Sequence, residues 1–299
     1  MTELILSACS IGLTVQRALL NETSAAVLGS ISKGIYLLVP GQRVIFISYE
    51  PYRSPLTITL LKTPSQLHVT EAGEQVSLGP ASLDWTNGKI SIALAGAEIW
   101  NAPSPPASQE IWEPNSGSFE RLVEIAKIIS TSKEDAGFAP LLLPILGVTK
   151  PESLPADLAP AWEKVAGLLE ERPNLDPARI RDRLSSLIGY GRGLTPSGDD
   201  LITGFLLASA RWGDNLAGLG QALRREAYQK TTTLSANLIE CAAAGQADER
   251  LIRVVDAIAY GGLPLQACVE ALLSYGNSSG GDALAGIALA ARTRLNARS

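Results

Sequence analysis

The chain has 299 residues, of which 46% are hydrophobic and 18% charged, and its 25 basic and 30 acidic side chains give a net charge of -5. This balance argues against nucleic acid as a partner, because binding to a phosphate backbone needs a basic surface. No uncharged run reaches membrane-spanning length, and Glu3 stands where a signal peptide would carry positive charge. We therefore expect a cytoplasmic protein with two domains and no membrane association.

Cysteine and histidine are too scarce for several common kinds of site. Cys9, Cys241 and Cys268 are far apart, odd in number and without the paired spacing of a zinc or redox site. The single histidine, His68, leaves little material for a histidine-based triad or a multi-histidine metal site. Its alternating neighbours indicate a residue on a surface strand.

Short apolar runs, broken by glycine and proline, fill the region from about residue 28 to residue 100. Such runs are typical of strands and turns, and their spacing predicts a small β-barrel or sandwich-like domain. The clearest hairpin is at 83–94, where Asn87-Gly88 is expected to supply the two positive-φ positions of a tight turn. One helix is expected near residues 12–20 or 24–34.

A proline-rich segment at 102–108 separates this region from the rest of the chain. Proline lacks an amide donor and fixes φ, so the segment forms neither a helix nor a central strand. We place the domain boundary here, between a strand-rich domain at 1–108 and a second domain at 109–299. Apolar residues of the second domain recur at helical spacing, which predicts a mainly α-helical domain and an α+β fold class.

Two glycine-rich loops, each leading into a helix, are the most unusual feature of the second domain. The first reads GRGLTPSGDDLITG at 191–204, and the second reads NSSGGDALAG at 277–286. Aligning Ser197 with Ser279 gives the pattern S-G-x-D-x-x-x-G-x-x-x-A in both copies. We therefore expect two similar loop-helix units. A pseudo-two-fold relation is one option, and the open question is whether the two helix starts face each other.

Both loops have the composition of an anion site. Glycines let backbone amides converge on a phosphate or carboxylate, hydroxyl groups add donors, and Arg192 offers a fork for an oxyanion. The aspartates would repel a bare anion, so they either orient polar groups such as amides or hold magnesium at Asp199, Asp200 and Asp282. The candidate binding residues are Gly191, Arg192, Gly193, Thr195, Ser197, Gly198, Asp199, Asp200, Thr232, Ser235, Asn277, Ser278, Ser279, Gly280 and Asp282.

Thr232 and Ser235 belong to a third polar group inside the stretch 216–244, which otherwise reads as one long helix. Threonine has a low helix propensity, so these residues either break the helix or line a pocket. A purely structural interpretation of the two loops also stands. Serine followed three residues later by aspartate resembles a capping box, and Gly204 and Gly286 would let two helices pack closely.

Three blocks carry a resemblance to a known family: GRGLTPSGDDLITGFLLA at 191–208, TTTLSANLIECAAAG at 231–245 and GNSSGGDALAGIALA at 276–290. They resemble a family of domains of unknown function that includes the AllH-type subunit of oxamate carbamoyltransferase. The resemblance implies a role in purine or allantoin nitrogen catabolism, where oxalurate and phosphate are exchanged for oxamate and carbamoyl phosphate. It also implies partner subunits, one of them resembling acyl-CoA synthetases, and it transfers no catalytic residue.

Three hypotheses follow from these observations. The first is a subunit of a carbamoyl-transferring complex that binds a small anion, such as carbamoyl phosphate or oxamate, at paired helix N-termini. The second is a non-catalytic scaffold whose loops cap helices at a protein interface. The third is a stand-alone magnesium-dependent enzyme of another reaction class. Magnesium is the one cofactor that the loop composition suggests.

Overall fold

The computed structural model describes residues 4–62, 70–105, 116–132, 137–169, 177–214 and 217–296. The chain divides into two compact units, Met1–Pro103 and Ser104–Ser299, here called the barrel unit and the helical unit. His68, predicted on a surface strand, lies outside the described residues. Across the described ranges, none of the helices combines the length and the apolar character that a membrane span requires.

The barrel unit contains nine strands in its described residues. They are β1 (Leu4–Gly12), β2 (Ser24–Ile31), β3 (Gly34–Val39), β4 (Arg43–Ser48), β5 (Thr57–Leu60), β6 (Gln75–Leu78), β7 (Ser82–Trp85), β8 (Ile90–Ala93) and β9 (Glu98–Trp100). Eight of them close in the order β1-β5-β4-β3-β2-β6-β7-β8, because β1 pairs with both β5 and β8. The ninth, β9, runs parallel to the last residues of β1. The fold is therefore the predicted barrel and not a sandwich.

Alternating side chains fill the interior of the barrel. Ile35 and Leu37 of β3, Ile47 of β4 and Ile58 of β5 are fully buried. The one helix among the described residues of this unit, α1 (Leu13–Asn21), follows β1 directly. The alternative position, at 24–34, is wrong, since burial there alternates with the period of a strand and the residues form β2.

The hairpin predicted at 83–94 is formed by β7 and β8, but its turn differs from the predicted one. Gly88 has φ of +68°, whereas Asn87 does not have a positive φ. The Gly88 amide donates to the Trp85 carbonyl over 2.8 Å, closing a four-residue turn in which one residue is left-handed. The prediction of two positive-φ residues was wrong because the loop is longer than two residues.

The helical unit is built, in its described residues, from ten α-helices and three short 3-10 helices. The α-helices are α2 (Ser116–Thr131), α3 (Leu142–Ile145), α4 (Ala159–Leu169), α5 (Pro177–Ser185), α6 (Ser197–Arg211), α7 (Ala217–Lys230), α8 (Thr233–Ala243), α9 (Glu249–Tyr260), α10 (Leu265–Ser274) and α11 (Ser279–Asn296). The fold class is thus α+β, as predicted. The stretch predicted as one helix at 216–244 contains two helices, α7 and α8, because the helix is interrupted at Thr231 and Thr232.

Helices α6 and α11 form the centre of the helical unit. Nearly every residue of α6 from Gly198 to Ser209 is buried, and so is α11 from Asp282 to Ala291. A helix that is buried all round must be covered by neighbours on every side. Helices α8 and α9 pack on α6, while α2, α3, α4 and α10 pack on α11. Both glycine-rich loops therefore lead into the core of the unit.

Candidate functional site

Gly204 of α6 and Gly286 of α11 bring the backbones of the two central helices into contact. A Cβ atom at Gly204 would lie 2.7 Å from the carbonyl carbon of Ala283, and one at Gly286 would lie 2.8 Å from that of Leu201. Leu201 and Ala283 occupy equivalent positions in the sequence repeat. The two close contacts therefore change places when the helices are exchanged, which is the relation expected of a pseudo-two-fold axis.

The structural repeat is longer than the sequence pattern. A motif L-x-x-Y-G precedes each helix, at 187–191 before α6 and at 272–276 before α11. In both copies the amide of the second helix residue donates to the carbonyl of the motif's tyrosine, over 2.8 Å for Gly198 and 3.0 Å for Gly280. These amides are among the orphan donors of a helix start, so the chain segment before each helix satisfies one of them in the same way.

The starts of α6 and α11 face each other. The hydroxyl groups of Thr195, before α6, and Ser279, the first residue of α11, are 3.2 Å apart. Ser279 also hydrogen-bonds to the carboxyl group of Asp200, and Ser197 hydrogen-bonds to that of Asp282. Each helix thus supplies a hydroxyl group to the carboxyl group of the other, and the exchange is again reciprocal.

The capping-box interpretation of these serines is wrong. Ser197 is the first residue inside α6, and the N-cap is Pro196, which makes no side-chain cap bond. Ser279 likewise lies inside α11, as its first residue. A capping serine would bond to an amide of its own helix. The two serine hydroxyls instead hydrogen-bond to the opposite helix, so their role is to join the two loop-helix units.

Asp200 and Asp282 are both buried, and their environment favours the protonated form. Burial, followed by the charge of Asp282, raises the pKa of Asp200 well above its usual value. Burial raises the pKa of Asp282 to about 6, against the opposing effect of hydrogen bonds from the Phe138 amide and from the hydroxyls of Ser278 and Ser197. Two nearby carboxylates in a low-dielectric interior cannot both ionise easily. Because Asp282 also accepts from a backbone amide, which can only donate, Asp282 is the member of the pair that ionises more readily.

Asp199 is separate from this pair. Its Oδ1 accepts a hydrogen bond of 2.7 Å from the Gly189 amide, and its Oδ2 accepts one from the Thr231 hydroxyl. Burial raises the pKa of Asp199, and the hydrogen bonds from Thr231, Gly189 and Ser235 lower it. Both oxygens are thus used to hold the segment before α6 against the segment before α8. Asp199 serves the local structure of the first loop.

No three-carboxylate metal site results from this arrangement. Within the described ranges, no group of three or more His, Cys, Asp and Glu side chains is placed to hold a metal ion. The predicted magnesium site at Asp199, Asp200 and Asp282 finds no support here, because Asp199 is directed elsewhere. Magnesium at Asp200 and Asp282 alone stays a prediction.

The start of α8 supports the first loop from the side. The Thr232 hydroxyl donates to the Leu194 carbonyl over 2.7 Å, and it accepts from the Ser235 amide over 3.1 Å as the N-cap of α8. The Ser235 hydroxyl also donates to the Leu194 carbonyl, over 3.4 Å. Asn237 is buried and donates to the Thr233 carbonyl over 2.8 Å, within its own helix. The third polar group is therefore a support for the loop.

Replacing Thr232 with alanine should lower the free energy of unfolding by about 1 kcal/mol, because the start of α8 loses its cap. The change also removes the donor to the Leu194 carbonyl, so amide hydrogen exchange across residues 191–196 should become faster. Serine at position 232 keeps both hydrogen bonds and is the matched control. Equal exchange rates in the alanine and serine variants would contradict the proposed support.

Apart from Asp199, Thr232 and Ser235, the predicted residues belong either to an exposed rim or to a set that converges around the two helix starts. Gly191, Arg192, Gly193 and Asn277 are exposed. The converging set comprises the half-buried Thr195, Ser197, Ser278 and Ser279 and the buried Gly198, Asp200, Gly280 and Asp282. Gly198 and Gly280 are there for space, since a Cβ atom at either would overlap the carbonyl group of Leu187 or Leu272.

Sequence reasoning missed Gly137 and Phe138, which cover Asp282. The Phe138 amide donates to Asp282 Oδ1 over 2.5 Å, and a Cβ atom at Gly137 would overlap the same carboxyl group. Gly137 has φ of +50°, a conformation that favours glycine. No sequence pattern links residues 137–138 to position 282. The only local signal is a glycine ahead of the apolar run at 138–146.

Residues 187–291 match a family model described as oxamate carbamoyltransferase subunit AllH. The resemblance to the AllH family is confirmed. The AllH match begins at Leu187, the first residue of the first L-x-x-Y-G motif, and ends in α11, so it spans both loop-helix units and about a third of the chain. The AllH description names a subunit, and thus a multi-protein carbamoyltransferase. No curated protein and no solved structure matches the chain.

Proposed function

We propose that the chain is a subunit of a carbamoyl-transferring complex of the oxamate carbamoyltransferase kind, and that it binds a small anion where α6 and α11 begin. The observation that carries the proposal is the convergence of the two helix starts, with the Thr195 and Ser279 hydroxyls 3.2 Å apart. A helix N-terminus presents amide donors and a partial positive charge. Two such ends directed at one place favour an anion more than either alone.

The chemistry of carbamoyl transfer is compatible with this set of residues. Transfer between phosphate and a nitrogen acceptor needs the reactants held in position and a developing oxyanion stabilised, and it needs no protein nucleophile. Thr195, Ser197, Ser278 and Ser279 supply hydroxyl groups for positioning, and the exposed Arg192 supplies a guanidinium group at the outer rim. The substrates proposed are carbamoyl phosphate and oxamate, in purine or allantoin nitrogen catabolism.

The subunit character of the proposal rests on the family match. Other subunits, one of them acyl-CoA-synthetase-like, would then complete the active site or supply its other substrates. The exposed rim at 191–194 leaves the first loop accessible to such a partner. Arg192 would be shared between the anion and that interface.

A titration calorimetry experiment with carbamoyl phosphate tests the proposal on the full chain, alone and co-purified with its partner subunits. We expect one saturable site per chain. A Thr195→Ala, Ser279→Ala double variant should bind about tenfold more weakly or worse, because each lost hydrogen bond to an anion contributes about 1 kcal/mol. Ser82→Ala is the matched control, since the Ser82 hydroxyl also hydrogen-bonds to an aspartate, Asp84, but lies in the barrel unit.

The competing hypotheses give different results in the same experiment. A chain that assembles with its partners but binds no anion, alone or in the complex, is a scaffold. Metal-dependent turnover by the chain alone would favour the stand-alone magnesium-dependent enzyme. Binding that is unaffected by the double variant would place the anion somewhere other than the starts of α6 and α11.

A further inference from the structure

Two carboxyl oxygens at the converging helix starts have no hydrogen-bond partner. They are Oδ2 of Asp200 and Oδ2 of Asp282, and the two residues are 2% and 0% exposed. A buried polar atom without a partner costs free energy unless something else satisfies it. No lysine or arginine of the described residues acts on either carboxyl group. The unsatisfied pair therefore points to a ligand with its own hydrogen-bonding groups.

The two carboxyl groups differ in their partners. The other oxygen of Asp282, Oδ1, accepts a hydrogen bond from the Phe138 amide, a group that can only donate. That partner stabilises Asp282 as the ionised acceptor. Asp200 is surrounded by the hydroxyls of Thr195 and Ser279, which can either donate or accept, and by the charge of Asp282. Because hydroxyl partners can accept as well as donate, Asp200 is the member of the pair whose surroundings admit a proton, and burial with the charge of Asp282 raises its pKa in the same sense.

We propose that Asp282 and Asp200 together recognise a primary amide on the bound anion, with Asp282 accepting from the amide nitrogen and Asp200 donating to the amide oxygen. A primary amide presents one donor and one acceptor side by side, which matches a carboxylate next to a carboxylic acid. A carboxylate in the same place presents acceptors only and meets the charge of Asp282. The inference rests on the proposed function and adds specificity-determining residues to it.

A narrow crevice lies beside the start of α11. Ser278 and Gly281, which both precede Asp282 in the chain, line this crevice together with Ile129, Ala139, Leu272, Leu273 and Asn277. Most of its walls are apolar, and its polar groups are those of the second loop. The crevice therefore borders the second loop directly before Asp282 in the chain.

The pair of probes that tests the inference is oxamate and oxalate, which have nearly the same shape but differ in one amide for one carboxylate. Calorimetry on the full chain at pH 7.5 in EDTA should show oxamate binding at least about tenfold tighter than oxalate, because an unmatched buried charge costs more than 1.4 kcal/mol. Equal affinities would overturn the inference and leave the proposed function standing. Binding of neither probe, nor of carbamoyl phosphate, would remove the proposed function as well.

Two isosteric variants separate amide recognition from a merely structural role. Asp200→Asn keeps a donor at that position and should bind oxamate within about threefold of the parent, whereas Asp282→Asn loses the charged acceptor and should bind at least about tenfold more weakly. Equal losses in both variants would overturn the assignment of donor and acceptor. Asp84→Asn is the control, because Asp84 of the barrel unit also accepts from two serine hydroxyls, those of Ser82 and Ser91.

A cation between the two carboxyl groups is the competing explanation, and the same titration decides it. Oxalate that binds tightly only when Mg²⁺ replaces EDTA would show that the pair holds a metal, and it would overturn the amide assignment. If either variant fails to fold, as seen by circular dichroism, the discrimination between oxamate and oxalate by the parent protein still decides the question.

Discussion

Gly204→Ala is expected to lower the free energy of unfolding of the helical unit by about 3 kcal/mol or more, because the new methyl group has nowhere to go. The added Cβ would overlap the carbonyl group of Ala283 in the next helix. Main-chain atoms in the middle of a buried helix cannot rotate away as a flexible side chain can. The two central helices must therefore separate, which also moves Asp200 away from Ser279.

Chemical denaturation followed by circular dichroism at 222 nm measures this effect, since α-helices dominate the helical unit. Gly286→Ala should behave in the same way, because its Cβ would overlap the carbonyl group of Leu201. Gly218→Ala is the matched control: Gly218 is also in a helix, α7, but its Cβ would meet nothing within 4 Å. That variant should be neutral or slightly stabilising. Equal stability of the Gly204 and Gly218 variants would contradict the close packing of α6 and α11.

The contribution of Asp282 to the stability of the metal-free protein should fall as pH rises from about 4 to 6. Burial raises the pKa of Asp282 from 3.8 to about 6, so across this interval the folded state holds a proton that the unfolded state has released. Stability falls with pH wherever the folded state binds more protons. The contribution is fully present below pH 4, is lost progressively up to about pH 6, and amounts to about 3 kcal/mol.

Asp282→Asn should remove this slope, because asparagine does not titrate while its side-chain oxygen can still accept from the Phe138 amide. At pH 7.5 the variant should be at least as stable as the parent protein, although the proposal above expects it to bind oxamate poorly. Thermal denaturation of both proteins at pH 4, 5, 6 and 7.5 in EDTA makes the comparison. Asp84→Asn should remove a contribution to stability that rises with pH, because hydrogen bonds from Ser82 and Ser91 lower the pKa of Asp84. Parallel curves for the parent and Asp282→Asn would refute the raised pKa.

The repeated pattern allowed the central helix pair to be anticipated from the sequence. Identical spacing of Ser197, Asp200 and Gly204 with Ser279, Asp282 and Gly286 requires similar local backbone, and glycines four residues from the acids indicate close approach. The barrel was also within reach, because alternation and turn residues are local signals. The hydrogen bonds between the two loop-helix units could not be predicted, because two similar loops can pack with either of their side chains facing outward.

The position of Asp199 shows why the rest could not be read from the chain. Asp199 and Asp200 are adjacent in sequence, yet on a helix successive side chains point about 100° apart, so only one of them can face α11. The choice depends on where Thr231 and Gly189 lie, and that is a tertiary fact. The Phe138 amide, which reaches Asp282 from 144 residues away, is equally invisible to any local pattern.

The reciprocal exchange of hydroxyl groups between the two halves limits how far they can diverge. Because Ser279 hydrogen-bonds to Asp200 and Ser197 to Asp282, neither loop-helix unit contains both partners of these hydrogen bonds, and a change in one unit alters the surroundings of the other. The two loops differ in length in their outer parts, where residues 192–196 of the first loop correspond to only residues 277–278 of the second. The two-fold symmetry is thus retained in the interior and lost at the surface, where an asymmetric partner or ligand would meet two different loops.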